Sequence, residues 1–171
     1  MKSLIASALL LVASAAFAES DAAAAEPYNA AAEPYKVGSV LPRIELADQH
    51  GETRTIDESV RAIVFNRDMK AGDVVKAAVA SAGPDLFERN SAVYVVDVKG
   101  MPSLVRTLFA MPAMRRRPYR LLVDTDGVKT ADFPGGATWP TVLLLDKLRV
   151  TSVSYPASAE ELIAALQPPA Q

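Results

Sequence analysis

The 171 residues include no cysteine and one histidine, His50. Without a thiol there is neither disulfide nor thiolate, and thiol–disulfide exchange is excluded because the thiolate is both its nucleophile and its electron carrier. His50 sits in a turn with no serine or cysteine expected beside it, so it makes a poor general base. Asp124, Asp126 and Asp132 lack the spacing and the closing glutamate of a calcium loop, and the first two suit a turn; no metal is expected. No charge of one sign dominates, with 18 basic and 20 acidic residues. That balance carries no nucleic-acid footprint. No apolar run reaches the roughly 20 residues of a membrane-spanning helix without a charge or proline.

What is present begins with an export signal. Lys2 supplies a positive start, Leu4 to Val12 a short apolar stretch, and Ala16-Phe17-Ala18 the small-x-small pattern before cleavage. Cleavage after Ala18 predicts a periplasmic or secreted protein. No cysteine follows the cleavage point, so a lipid anchor is not expected. Residues 19–35 repeat Ala-Ala-Ala-Glu-Pro-Tyr at 23–28 and 30–35 and read as a flexible leader. One domain is expected over 36–167, with a short disordered tail at 168–171.

Within that domain the apolar period changes in a regular order. Residues 43–46 and 53–56 alternate around the Asp48-Gln49-His50-Gly51 turn, predicting a hairpin. Ala62 to Phe65 and Ala92 to Val98 are continuous apolar runs, as strands buried on both faces require. Between them Asp73 is the expected cap of a helix through Ala82, ended by Gly83-Pro84. Pro102 opens a second helix with Leu104, Val105, Leu108 and Phe109 on one face and Pro112 as its stop. Strands follow at 119–123, 141–145 and 150–155, the last two joined tightly. Ser158 and Glu161 form a capping box for a closing helix. The class is α/β.

The segment Val37–Leu166 resembles the thioredoxin-like superfamily, especially its peroxiredoxin and TlpA-like branch. The resemblance rests on three stretches: Val37 to Pro42 with Leu46 to Gly51, Trp139 to Asp146, and Ser158 to Leu166. It implies a three-layer α/β/α sandwich with a central mixed sheet and an N-terminal β-hairpin, and a cis bond at Trp139-Pro140. The chain is also similar to small exported proteins named as flavin-containing dehydrogenases. It has no Gly-x-Gly-x-x-Gly turn to hold a dinucleotide.

The superfamily carries its reactive cysteine just after the first buried strand. Here that stretch is Asn66 to Asp73, without thiol, serine or threonine. Arg67, Asp68 and Lys70 are candidates for a polar clamp there; alternatively Arg67 pairs with Asp68 and Lys70 is solvated. Met69 either lines a partner groove or fills a core gap. Trp139-Pro140 either plugs the vacant cleft or anchors a partner. Arg115, Arg116, Arg117 and Arg120 form a basic cluster, read either as a solvated helix end or as a patch for an anionic surface or acidic partner. The expected function is a binding or adaptor module with a periplasmic protein partner and no cofactor. The alternatives are a non-thiol oxidoreductase holding flavin or another cofactor, and an assembly or stability factor for envelope proteins.

Overall fold

The computed structural model describes residues 34–135 and 138–167. The expected export signal, residues 19–33 of the expected leader and the expected tail at 168–171 lie outside the described residues. Tyr35, one residue before the expected domain start, already packs on the domain: its ring meets Phe133 edge-on at 5.7 Å and its amide donates to the Asp132 carbonyl.

Seven strands form one mixed sheet. In chain order they are β1 (Ile44–Asp48), β2 (Thr53–Ile56), β3 (Ala62–Asn66), β4 (Ala92–Asp97), β5 (Leu122–Asp124), β6 (Thr141–Asp146) and β7 (Arg149–Ser154), arranged β2-β1-β5-β4-β3-β6-β7. β3, β4 and β5 run parallel; β6 is antiparallel to β3, and β1 to β5. The expected hairpin at the amino end is β1–β2. β6 and β7 turn through Lys147 and Leu148, both with positive φ, the twist that a two-residue hairpin needs. Neither is glycine. Leu148 is buried in the core below the turn, and that burial offsets the backbone cost.

Alternation along the strands divides the core in two. Ala62, Val64, Tyr94, Val96, Leu121, Val123 and Val142 face the helices, whereas Ile63, Phe65, Val95, Leu122 and Leu143 face the other side. Every helix with buried apolar residues packs on the first face: α1 (Met69–Ala82), α2 (Leu86–Arg89) and α5 (Ala159–Leu166). On the second face the cover consists of non-helical segments carrying Leu41, Val60, Phe133 and Leu148. The two covers and the sheet between them make the layers.

Local chemistry moved several boundaries. α1 starts at Met69 because Asp68, in extended conformation, caps it by accepting from the Lys70 amide at 2.7 Å. Asp73, the expected cap, falls inside the helix and pairs with Lys76. Residues 119–121 precede β5 without strand pairing. Buried Gln49 replaces a ladder there, donating to the Tyr119 carbonyl and accepting from the Leu121 amide.

The largest departure is the second helix. It runs as α3 (Ser103–Val105), a π turn (Arg106–Ala110) and α4 (Met111–Arg115), so Pro112 does not stop it. Proline lies in the first turn of α4, where its missing N–H matters least. Leu104, Val105, Leu108 and Phe109, expected on one face, are exposed, while Met101, Met111 and Met114 pack against the core. The wider i→i+5 closure adds a residue to the turn and so offsets the faces before and after it. No described helix is long and apolar enough to cross a membrane.

Candidate functional site

The junction between β3 and α1 lies at the carboxyl ends of the parallel strands, the edge at which open α/β sheets receive ligands. β3 ends with Phe65 facing one layer and Asn66 the other. The register Phe65↔Thr141 brings Trp139-Pro140 alongside. The expected neighbours are therefore adjacent.

Arg67 does not pair with Asp68. Its Nε donates to Asp97 Oδ2 at 3.0 Å, its terminal nitrogens to the carbonyls of Thr130 and Phe133, and its guanidinium lies 4.8 Å from the centre of the Phe65 ring. The reason is register: parallel pairing of Asn66 with Val96 brings Asp97 next to the Arg67 side chain, while Asp68 is engaged in capping. Asp97 is buried and also accepts from the Lys99 amide, so two donors hold its carboxylate. Arg67 is a strut between β3, β4 and the segment 130–133.

The helix-facing side is open. A cavity of about 190 Å³ lies between the first turns of α1, the sheet and the 101–117 stretch. Asn66, Tyr94, Val96 and Leu121 form its floor, Met69 and Gly72 one wall, and Met101 and Met114 the other. Asn66 Nδ2 donates to the Asp68 carbonyl at 2.9 Å, which fixes the amide's orientation. Its Oδ1 is buried without a hydrogen-bond partner. Burial raises the Tyr94 hydroxyl well above the ordinary tyrosine range, so it stays protonated. Gly72 keeps the space clear: a Cβ there would lie 3.7 Å from Asn66 Nδ2 and 3.8 Å from the Tyr94 hydroxyl.

The remaining candidates are spread around this junction. Met69 is 77% exposed at the cavity mouth rather than filling the core. Lys70 is exposed beside it. Trp139 is 42% exposed and does not line the cavity, so it is no plug; Pro140 is buried. No peptide bond among the described residues is cis, so Trp139-Pro140 is trans, the form X–Pro bonds ordinarily favour by about 0.5–1 kcal/mol.

The four arginines are not one patch of free charges. Arg115 donates to the Gln49 carbonyl, Arg120 pairs with buried Asp48 at 3.4 Å, and Arg117 lies by the Tyr119 hydroxyl at the cavity wall. Arg116 is exposed. Asp124 accepts from the Gly127 amide and from both the amide and the hydroxyl of Thr130, which makes it the organiser of its turn. Burial, with Asp126 next to it, raises its carboxyl above the usual range, while the Val128 amide lowers that of Asp126. No group of three or more metal-ligating side chains occurs among the described residues.

Asn66, Gly72, Tyr94 and Asp97 were not legible as site residues. Two faint signals exist: a polar residue closing each buried apolar strand, Asn66 and Asp97, and a glycine inside a helical pattern.

No family model matches the chain, and no curated protein matches it in sequence. Solved structures do. The peroxidoxin BcpB of Mycobacterium tuberculosis is 25% identical, over 77% of this chain and 96% of that one, with a TM-score of 0.49. A peroxiredoxin-like protein from Aquifex aeolicus is 11% identical over 79% and 88%, with a TM-score of 0.50. A conserved protein of unknown function from Bacteroides fragilis is 15% identical over 78% and 100%, with a TM-score of 0.51. At such identities the likeness to the latter two speaks of architecture alone, and with the strand order and the β3–α1 junction described above it gives the chain a thioredoxin-like fold.

Proposed function

We propose that this protein is an exported binding module of the cell envelope, a thioredoxin-like scaffold without thiol redox activity. Its contact surface is the rim formed by Arg67 to Lys70 and the Trp139-Pro140 turn, and its partner is a protein. The supporting observation is the use of the residues that stand where the superfamily keeps its thiol. Arg67 and Asp68 are consumed as strut and helix cap, and Met69 projects from the rim with 77% of its surface exposed. An exposed methionine and an exposed tryptophan on the loops at the carboxyl ends of the strands suit a protein contact better than a proton-transfer step.

For the flavin alternative, the cavity beside α1 offers about 190 Å³, less than the roughly 300–1,000 Å³ of sites that hold drug-sized ligands.

Native mass spectrometry of the tagged protein released gently from the periplasm tests the reading. A defined protein adduct that is lost in Met69→Glu and Trp139→Ala supports it. An adduct of flavin mass overturns it, and a protein adduct retained by both variants overturns the assignment of the rim.

A further inference from the structure

Charge is segregated along this chain to a degree that the total conceals. Residues 99–120 hold Lys99, Arg106, Arg115, Arg116, Arg117 and Arg120 and no acidic residue, which leaves 12 basic against 20 acidic residues in the rest of the chain. Among the described residues Arg120, with Asp48, is the only one of the six in a salt bridge; Arg106 and Arg115 reach carbonyls, which leave their charge uncompensated. The same stretch carries four of the ten large hydrophobic side chains that are exposed among the described residues. Leu104 is 69% exposed, Val105 42%, Leu108 57% and Phe109 68%. Ser103 and Thr107, also exposed among them, carry no charge.

A helix face with this many large apolar side chains normally lies against a core. Here Met111 and Met114 supply the inward packing and the outer apolar residues are left to solvent. Cations flank those residues on both sides, Lys99 before them and Arg115 and Arg116 after, all exposed. Apolar side chains bordered by long cationic ones are what an anionic lipid surface accepts: the apolar groups enter the headgroup and acyl boundary while the arginines reach phosphates. The run Ser103 to Arg115 is too short to span a bilayer, which takes about 20 residues. It would lie in the interface.

We propose that the outer face of the 103–115 helix, with Lys99, Arg115 and Arg116, is a docking surface for an anionic phospholipid bilayer. This goes beyond the partner-binding rim and does not depend on it, since neither Leu108 nor Phe109 lines the cavity or the β3–α1 junction. The surface would fix the domain on a membrane and leave the rim turned to other molecules.

Vesicle co-sedimentation of the full chain tests this, with 30:70 phosphatidylglycerol:phosphatidylcholine vesicles against pure phosphatidylcholine. Leu108→Ser/Phe109→Ser and Arg116→Glu are compared with the wild type, each having the same residues 1–18. All three should give the same circular dichroism spectrum and unfolding midpoint, because the substituted side chains are exposed. The expected result is binding to the anionic vesicles, weakened as salt rises. It should fall at least tenfold in the double variant and by about fivefold or more in Arg116→Glu, since a basic residue near an anionic surface contributes about that factor. Three results would overturn the proposal: equal binding to both vesicle types, no binding to either, or unchanged binding by the variants. The last would assign the affinity to another segment. Loss of the periplasmic protein adduct in Leu108→Ser/Phe109→Ser, with vesicle binding unchanged, would assign this face to a protein instead.

Discussion

The two sides of the β3–α1 junction are one residue apart and built on opposite principles. On the side of Phe65 and Arg67 the space is filled: the rings of Phe65 and Phe133 meet edge-on at 5.1 Å, and Arg67 crosses above them to Asp97 and two carbonyls. On the side of Asn66 and Gly72 a buried amide oxygen has no partner and a side chain is missing from a helix wall. Strand alternation explains how neighbours come to have such different surroundings. The contrast teaches that in this scaffold the polar residues of the junction divide into those that hold the fold and those that leave room.

The contrast is broken most severely on the filled side. Phe65→Ala should cost about 3–5 kcal/mol, since the ring is fully buried and supports both Phe133 and the guanidinium of Arg67. A loss of unfolding free energy, read from urea curves, of less than a third of that size would mean that this side is not tightly packed. Asp97→Ala comes next. It leaves Arg67 and the Lys99 amide without their carboxylate, and about 2 kcal/mol is expected to be lost, the usual range for a hydrogen-bonded charged group with a half-exposed partner.

The open side should respond with the opposite sign. Gly72→Ala gains about 0.5–1 kcal/mol of helix stability, because its Cβ meets only ordinary contact distances at 3.7 and 3.8 Å. A lower thermal midpoint in Gly72→Ala would show that the cavity is tighter than its walls indicate. The same substitution narrows the space, so any small molecule bound there in the wild type should be weakened.

The smallest effect is one of pH and belongs to a second satisfied carboxylate. Burial alone would raise the Asp48 carboxyl, but the His50 and Glu52 amides and Arg120 outweigh it and hold it below its ordinary value. With the folded pKa below the unfolded one, ionised Asp48 stabilises the native state above about pH 4 and loses that effect as pH falls through the folded value. Urea midpoints taken between pH 2.5 and 6 should decline more steeply for the wild type than for Asp48→Asn; parallel curves would refute the linkage.

Much of the fold was legible because it rests on local patterns. The apolar runs at 62–65 and 92–98 became β3 and β4, and Ser158 caps α5 as its spacing with Glu161 indicates, its hydroxyl accepting from the Glu161 amide. Asp68 was hidden as a cap because two aspartates, 68 and 73, both precede helical spacing, and only the extended backbone at 68 decides between them. The outward face of residues 104–109 was hidden as well. Sequence spacing assumes α geometry throughout, and the π turn at Arg106–Ala110 breaks that assumption. Of the candidate site, the loop and its neighbour at Trp139 were legible, whereas the partner of Arg67 was not.

By itself the sequence determined that this chain brings no thiol, since a missing element cannot be supplied by folding, and it determined the order of the strands and of the longer helices, though not the short α2, since local periodicity is a property of neighbours in the chain. Only the tertiary structure decided that Arg67 takes Asp97, thirty residues away, that Asn66 is left with an unpartnered oxygen, and that Leu108 and Phe109 face outward. The first two outcomes depend on which strand lies beside which and in what register, a choice made by the packing of the whole sheet, and the third on the π turn at Arg106–Ala110 and on how that stretch packs against the core.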